Sequence, residues 1–395
     1  MPLALYWLAL GAFCVGTETF IIAPLLPAVA AELGVSIATA GHLVTTYALT
    51  YAIGSPVLST LLGAYSRKPL LVASLAAFAL ANVFAVMAQS FAQLVAAQVL
   101  LALAAGIFMP AANAVAAMIV PPEKRGRAIS IVIGGLSVSL AFGVPIGSLI
   151  GAFAHWRMSF VLIAVIGALG TIGLLLGLPR NLPGGTATLA ERIRVARRPA
   201  VLLALCVTLL WSSGIFAFYT FVAPFLTKAI QLDAGLVPLV LFVFGVAGWV
   251  GTLVGGWLTD RNGPVRTLGL ALLTLASVYV VFGLAARIAP SAAATAIISL
   301  AFIVGGIAGW TFHPSQTSRL VQLAPDSAIV ALSLNQSALY FGSAAGAALG
   351  AFTLSHATVF ELPWVAALAQ LAAACVLAFA LRVARSRPAA LQPGE

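Results

Sequence analysis

The chain has 395 residues, 62% of them hydrophobic and 7% charged, with a mean hydropathy of +1.13. A soluble domain carries about 25% charged residues, so this composition excludes a water-solvated globular protein and makes lipid the solvent. The formal net charge of +10 does not point to nucleic acid, because the bases punctuate hydrophobic runs instead of forming one soluble patch.

The first apolar run covers about residues 3–30, and Glu18 lies near its middle. A carboxylate at a helix centre costs about 2.5–3.5 kcal/mol on insertion scales. No other Asp or Glu lies deep in an apolar run, which makes Glu18 the default functional carboxylate. No Lys or Arg precedes this run, and it is too long for the core of a cleaved signal peptide. It is therefore expected to span. Breaking the chain at charges and turn residues gives twelve apolar segments, at about 3–30, 38–62, 70–89, 92–118, 128–152, 158–178, 200–226, 236–258, 266–286, 292–317, 328–354 and 361–381. Each is long enough to cross a bilayer.

With the N-terminus in the cytoplasm, sixteen of the nineteen bases fall in cytoplasmic connections. They include Arg67 and Lys68, Lys124 to Arg127, the linker arginines, Arg261 and Arg266, Arg319, and the bases from Arg382 to Arg387. Only Arg157, Lys228 and Arg287 are left outside. That asymmetry predicts an even number of spans with both ends in the cytoplasm. The longest connection, 179–199, begins as a turn-rich linker and continues as a short basic segment suited to lie on an anionic inner leaflet. It divides the chain into a six-helix bundle at 1–178 and a second at 200–383, followed by a cytoplasmic tail at 384–395. Cys14, Cys206 and Cys375 are far apart in apolar runs and read as small buried residues, with no metal-ligand spacing.

The halves repeat. Ala23-Pro24 recurs as Ala223-Pro224, and Gly106-Ile107 as Gly306-Ile307, each 200 residues on; Gly147, Gly151 and Phe153 recur as Gly346, Gly350 and Phe352 at 199. Three matches at nearly one offset on corresponding spans predict an all-α membrane protein, with twelve transmembrane helices in two pseudo-symmetric six-helix bundles. A substrate site is then expected near the midplane between them.

The stretch GTETFIIAPLLP at 16–27 resembles the first-span signature of the drug–proton antiporter branch of the major facilitator superfamily, related to bacterial drug, sugar and purine efflux permeases. That resemblance covers nearly the whole chain and implies alternating access, with Glu18 coupling proton flow to export. Gly256, Leu258, Asp260, Arg261, Gly263 and Arg266 are similar to the family's loop after the eighth span. They imply a conformational gate in which Asp260 pairs with an Arg across the seam between the halves. Arg67 belongs to the equivalent first-half loop, but Ser66 stands where the family carries an acid, so that half of the gate should be weaker. Gln98 stands where the family usually has an Arg, which removes a candidate counter-charge from Glu18; an ordinary interhelical hydrogen bond is the alternative role. Gly143, Pro145, Gly147 and Gly151 resemble the fifth-span antiporter signature. The glycines share a helix face, Pro145 bends it, and Gly248, Gly251 and Gly255 offer a matching face in the eighth span. Generic helix packing explains such stripes equally well.

Tyr47, Gln98, Asn113, Trp211, Tyr219, His313, Asn335, Gln336 and Tyr340 are the candidates for lining a substrate cavity. Asn113 and His313 stand 200 residues apart in corresponding spans. His313 either carries a proton or substrate contact, or serves the carbonyl freed by Pro314. His42, His155 and His356 lie near span ends, where solvation is expected. No phosphate-binding loop, HExxH pair or paired intramembrane carboxylates are present, so no enzymatic chemistry and no metal site are expected. The expectation is a monomeric exporter of small, mostly apolar organic compounds in the bacterial inner membrane. It uses the proton gradient and no bound cofactor, with lipid, protons and substrate as partners and no nucleic acid. A facilitator or importer of the same fold, or a non-transporting membrane sensor, are the alternatives.

Overall fold

The computed structural model describes residues 1–185 and 189–386. Residues 186–188 of the expected linker and 387–395 of the expected tail, Arg387 among them, lie outside the described residues. Twelve long helices are found, and the described residues hold no strand. Spans 1 to 4 are Ala4–Leu33, Ile37–Leu61, Arg67–Met87 and Phe91–Met118. Span 5 runs through Arg125–Val138, a widened π turn at Ser139–Gly143, and Val144–Phe153; span 6 is Trp156–Gly177. A short linker helix, Leu189–Ala196, leads to span 7, Pro199–Tyr219, which is extended by Val222–Pro224 and a second π turn at Phe225–Ala229. Spans 8 to 12 are Val237–Asn262, Pro264–Ala285, Ala292–Leu323, Ala328–His356 and Leu362–Ser386.

Eleven of the twelve are long and apolar enough to cross a membrane. The exception is span 2, whose helix forms where the segment at 38–62 was expected but is less apolar than the rest. Thr45, Tyr47, Tyr51 and Ser55 interrupt its hydropathy, and the latter three are buried. Leu49, Ile53 and Val57, four residues apart, form its exposed stripe. The helix is thus apolar toward lipid and polar toward protein. It packs against spans 4 and 11, and span 11 has the lowest mean hydropathy of the other eleven, 1.3. Both helices sit at the seam between halves, where protein replaces lipid as the surroundings.

The duplication is visible in the packing. A methyl group at Gly147 or Gly151 would overlap Ile21 or Leu25, so span 5 lies hard against span 1. At the equivalent positions Gly346 and Gly350 lie against Ser213 and Ala217, which sets span 11 against span 7 in the same way. Gly106 meets Ser55 of span 2, and Gly306 meets Ala247 of span 8. Span 3 packs on span 6 as span 9 does on span 12. Gly248, Gly251 and Gly255, expected to match the fifth-span glycines, pack instead against Trp310, Ile307 and Thr311 of span 10. The glycine that meets span 5 across the seam is Gly245, whose backbone touches Leu140 and Ala141 in the π turn. Pro145 cannot donate to the Ala141 carbonyl, and the widened turn just before it absorbs that lost bond.

Internal prolines free backbone carbonyls that lipid cannot satisfy. Neighbouring spans supply the donors. Pro110 frees the Gly106 carbonyl, which accepts from Ser55 Oγ at 2.8 Å. Pro24 frees the Phe20 carbonyl, which accepts from the Tyr219 hydroxyl at 3.3 Å across the seam.

At the end of the molecule that carries the linker, residues 178–185 lie against the loop between spans 2 and 3. The Gly185 amide donates to the Gly63 carbonyl at 2.8 Å, and the Arg67 amide to the Leu182 carbonyl at 3.0 Å. Lys68 Nζ donates to the Leu178 carbonyl at 2.6 Å, and the Arg67 guanidinium donates to the Gly185 carbonyl. The linker helix in turn packs on spans 7 and 11, with Val195 buried among Val201, Ala204, Leu320 and Ala331. The opposite end is tied within the first half. Glu32 at the end of span 1 accepts from Trp156 Nε1 at 2.6 Å and pairs with Arg157 and with His155 at 3.0 Å. Arg157 also donates to the Val86 and Ala88 carbonyls at the end of span 3, at 3.0 and 2.7 Å.

Candidate functional site

Glu18 is 1% exposed, the one buried acid among the described residues. Span 1 places it against span 4, where Gln98 Nε2 donates to Glu18 Oε1 at 3.2 Å. Its second oxygen, Oε2, is buried with no hydrogen-bond partner. Among the described residues no cation lies within ion-pair distance. A carboxylate so placed is stabilised far better by a proton or a donor-bearing ligand than by its own surroundings.

Glu18 opens onto a small cavity of about 10 Å³, room for about one water, lined by Thr19, Ile22, Val44, Tyr47, Ala48, Gln98, Phe216, Tyr340 and Ser343. Its walls come from spans 1, 2 and 4 of the first half and spans 7 and 11 of the second, so it lies between the two halves. Thr19 Oγ1 donates to the Val15 carbonyl at 2.8 Å and lies 3.3 Å from the Tyr47 hydroxyl. Tyr51 stacks on Tyr340 at 3.8 Å between ring centres, which closes the seam between spans 2 and 11.

A cluster of rings adjoins this cavity through Phe216. Phe20 lies with its ring centre 5.9 Å from Phe216, 5.7 Å from Tyr219 and 6.3 Å from Trp310. Trp211 stacks on Phe312 at 4.2 Å, and His313 faces both Trp211 and Trp310 at 5.0 Å. His313 is thus held among rings and does not serve the carbonyl that Pro314 frees. A third group, buried and polar, lies in spans 7, 10 and 11. Thr208 Oγ1 donates to Asn335 Oδ1 at 2.6 Å, and Gln316 Nε2 donates to Thr208 Oγ1 at 2.8 Å.

Of the residues picked out in the sequence, Glu18, Tyr47, Gln98 and Tyr340 meet at one cavity. Trp211, Tyr219 and His313 belong to the aromatic cluster beside it. Asn335 belongs to the polar group, and Gln336, next to it, is exposed. Asn113 lies farther along span 4, its carbonyl oxygen buried and unpartnered. Thr19, Phe20, Phe216, Trp310 and Ser343 were not singled out. Phe20 was signalled by being the one aromatic residue in the opening motif, whereas nothing in their own stretches distinguishes Phe216 or Ser343 from core.

The gate residues are arranged differently from the expectation. Asp260 is exposed and makes no ion pair among the described residues; the conformation holds no seam pair there. Arg261 lies 5.4 Å from the Trp257 ring and Arg266 is exposed. Arg67 is buried under the linker, and its guanidinium donates to the Gly185 carbonyl. Arg319, expected in a connection, lies inside the last turns of span 10 and is buried. The contacts between halves at Gly245, Phe20 and Tyr51, and a further one in which Gly41 of span 2 meets Phe221, all lie away from the linker end.

Two helical halves with a carboxylate cavity between them define a membrane transporter. The chain belongs to the Major Facilitator Superfamily, whose family model matches residues 8–328. It is 32% identical over 386 residues to a chloramphenicol resistance protein of Streptomyces lividans, covering 97% of each chain. It is 31% identical over 383 residues to the inner membrane transport protein YdhP of Escherichia coli, covering 96% of each. Among solved structures, a peptide transporter (POT) in complex with alafosfalin superposes with a TM-score of 0.78 at 15% identity, covering 98% of this chain and 95% of that one. A bacterial homologue of the human lysosomal transporter Spinster, inward-facing and occupied, gives 0.73 at 17% identity, covering 99% and 98%. At such identities these two likenesses concern the fold.

Proposed function

We propose that the chain exports small, mostly apolar organic compounds by proton antiport across the bacterial inner membrane. Both termini face the cytoplasm, and the monomer works with no bound cofactor. The observation that carries this reading is Glu18, buried in the midplane cavity with one oxygen on Gln98 and the other unpartnered. A site of this kind accepts either a proton or a donor-bearing substrate. Exchange of one for the other is the competition that antiport requires. The resistance protein among the relatives supports export, and the largely apolar and aromatic walls support substrates without phosphate or paired carboxylates. One proton per neutral substrate supplies about 2.3 kcal/mol per 100 mV, a gradient of about fiftyfold. In this reading Asp260 acts at the linker end, pairing across the seam only when that end closes.

Glu18→Gln tests the coupling. Glutamine keeps the shape and the bond to Gln98 but cannot exchange a proton. In inverted vesicles, proton-driven accumulation of a transported drug is expected to fall to the equilibrium ratio, while exchange without a gradient persists. Unchanged proton-driven accumulation in Glu18→Gln would refute the assignment.

A further inference from the structure

We infer that an anionic phospholipid from the leaflet at the linker end seats on the first half. The end of one acyl chain enters a cavity between spans 1, 5 and 6, and the phosphate lies on bases at the mouth of the crevice leading there. The cavity measures about 100 Å³, with Phe13 and Thr17 of span 1, Gly143 and Ile146 of span 5, and Leu162 and Ile166 of span 6 among its walls. Those walls are apolar, since the Thr17 hydroxyl is turned onto the Phe13 carbonyl at 2.9 Å. The cavity shares no residue with the one at Glu18 and lies wholly within one half.

Its shape follows from how spans 5 and 6 diverge. At the end away from the linker, Ser159 Oγ of span 6 donates to the Gly147 carbonyl of span 5 at 2.7 Å. Toward the linker end span 6 leans on span 1, where Gly173 and Gly177 meet Trp7, while Arg125–Val138 of span 5 packs on spans 1 and 4. Span 1 is the floor between them. Tyr6, Leu10 and Phe13 share one face of that helix, and they are exposed or half-buried in a span whose other faces are largely buried. This apolar track runs from the linker end up to the cavity.

Depth and charge select the occupant. Sixteen residues separate Arg127 from Gly143, about 24 Å along a helix, and headgroups lie about 20–22 Å from the bilayer midplane. A chain whose phosphate sits beside Arg127 therefore ends at the cavity. A cavity of about 150 Å³ holds benzene, so this one takes the last few carbons of a chain, which gain dispersion contacts there. Lys124, Arg125 and Arg127 on the span 5 side of the mouth and Arg180 on the span 6 side are exposed, with Glu123 the one acid beside them. None of these bases makes an ion pair among the described residues.

The seat does not depend on the export reading. It is tested by fluorine NMR on the full chain in phosphatidylcholine nanodiscs that hold some phosphatidylglycerol with chains ending in a trifluoromethyl group. A second, broadened resonance is expected beside that of the free bilayer, equivalent to a single chain end per protein. Leu162→Trp grows into the cavity and should lower its occupancy roughly tenfold. Ile166→Phe should act in the same direction and carries the test if Leu162→Trp does not fold. Lys124→Gln, Arg125→Gln and Arg127→Gln should each lower it roughly fivefold. Absence of the second resonance, or its persistence in both cavity variants, overturns the seat. Equal occupancy by a phosphatidylcholine probe with the same chains, unchanged when the three bases are replaced, overturns the choice of an anionic lipid.

Discussion

The docked linker is held to the first half by bonds that one substitution can test. Four hydrogen bonds hold residues 178–185 to the loop between spans 2 and 3: two backbone pairs, Lys68 to Leu178, and the Arg67 guanidinium to Gly185. Arg67→Ala removes the guanidinium bond and leaves the backbone pairs in place. A hydrogen bond made by a charged group contributes about 1.5–3 kcal/mol, against about 0.5–1.5 kcal/mol for a neutral one. Losing it should raise the undocked population roughly tenfold to hundredfold. Hydrogen exchange reads this directly, because the Gly185 amide is protected by Gly63 on the docked surface. Peptides covering 180–185 should exchange faster in Arg67→Ala by that factor, with span 3 peptides unaffected. Lys68→Ala should act on the same peptides more weakly, since Leu178 lies at the edge of the contact. Unchanged exchange at Gly185 in Arg67→Ala would refute the view that the arginine holds the linker, and would assign docking to the backbone pairs alone.

Two further outcomes follow from the seam. Gly245→Val places a branched side chain against the Leu140 carbonyl and Ala141, an overlap that costs about 1–3 kcal/mol when neighbours cannot yield. The conformation in which spans 5 and 8 touch should be depopulated, which increased labelling of a cysteine placed near Phe142 would report; unaltered labelling would show that the two spans adjust freely. Asp260→Asn should leave the thermal stability of the protein within about 0.5 kcal/mol, because the residue is exposed and unpaired in this conformation. Turnover in vesicles should nevertheless slow, and wild-type turnover would remove Asp260 from the gate.

The helices and their pairing were legible because lipid imposes a strict rule on sequence. All twelve spans were placed by their apolar runs, the second at 38–62 despite its polar inward face, and the 200-residue offset of Gly106 and Gly306 already paired spans that occupy equivalent positions. Glu18 was legible for the same reason, since a carboxylate in an apolar run stands out by its cost. The ring cluster around Phe20 was not. Phe216 and Trp310 are apolar residues in apolar spans, and only the approach of two distant helices distinguishes a ring that meets Phe20 across the seam from one that faces lipid. Arg67 misled for a related reason. Its loop matches a family pattern, but the chemistry at that loop depends on Ser66 and on a linker more than a hundred residues away. The glycines of span 8 carry a packing stripe whose partner, span 10 instead of span 5, no spacing within the stripe identifies.

The polar inward face of span 2 also bears on how the protein is made. A helix with Tyr47, Tyr51 and Ser55 on one side and Leu49, Ile53 and Val57 on the other partitions weakly into lipid by itself. Its packing partners are spans 4 and 11, and span 11 is synthesised nearly 300 residues later. During synthesis, span 2 must therefore be held by spans 1 and 4 alone, with the surface meant for span 11 still uncovered. The first six helices are by this logic an unfinished membrane protein. Their insertion is completed only when the penultimate helix arrives, so chains truncated after the linker should be recovered with span 2 poorly inserted and rapidly degraded.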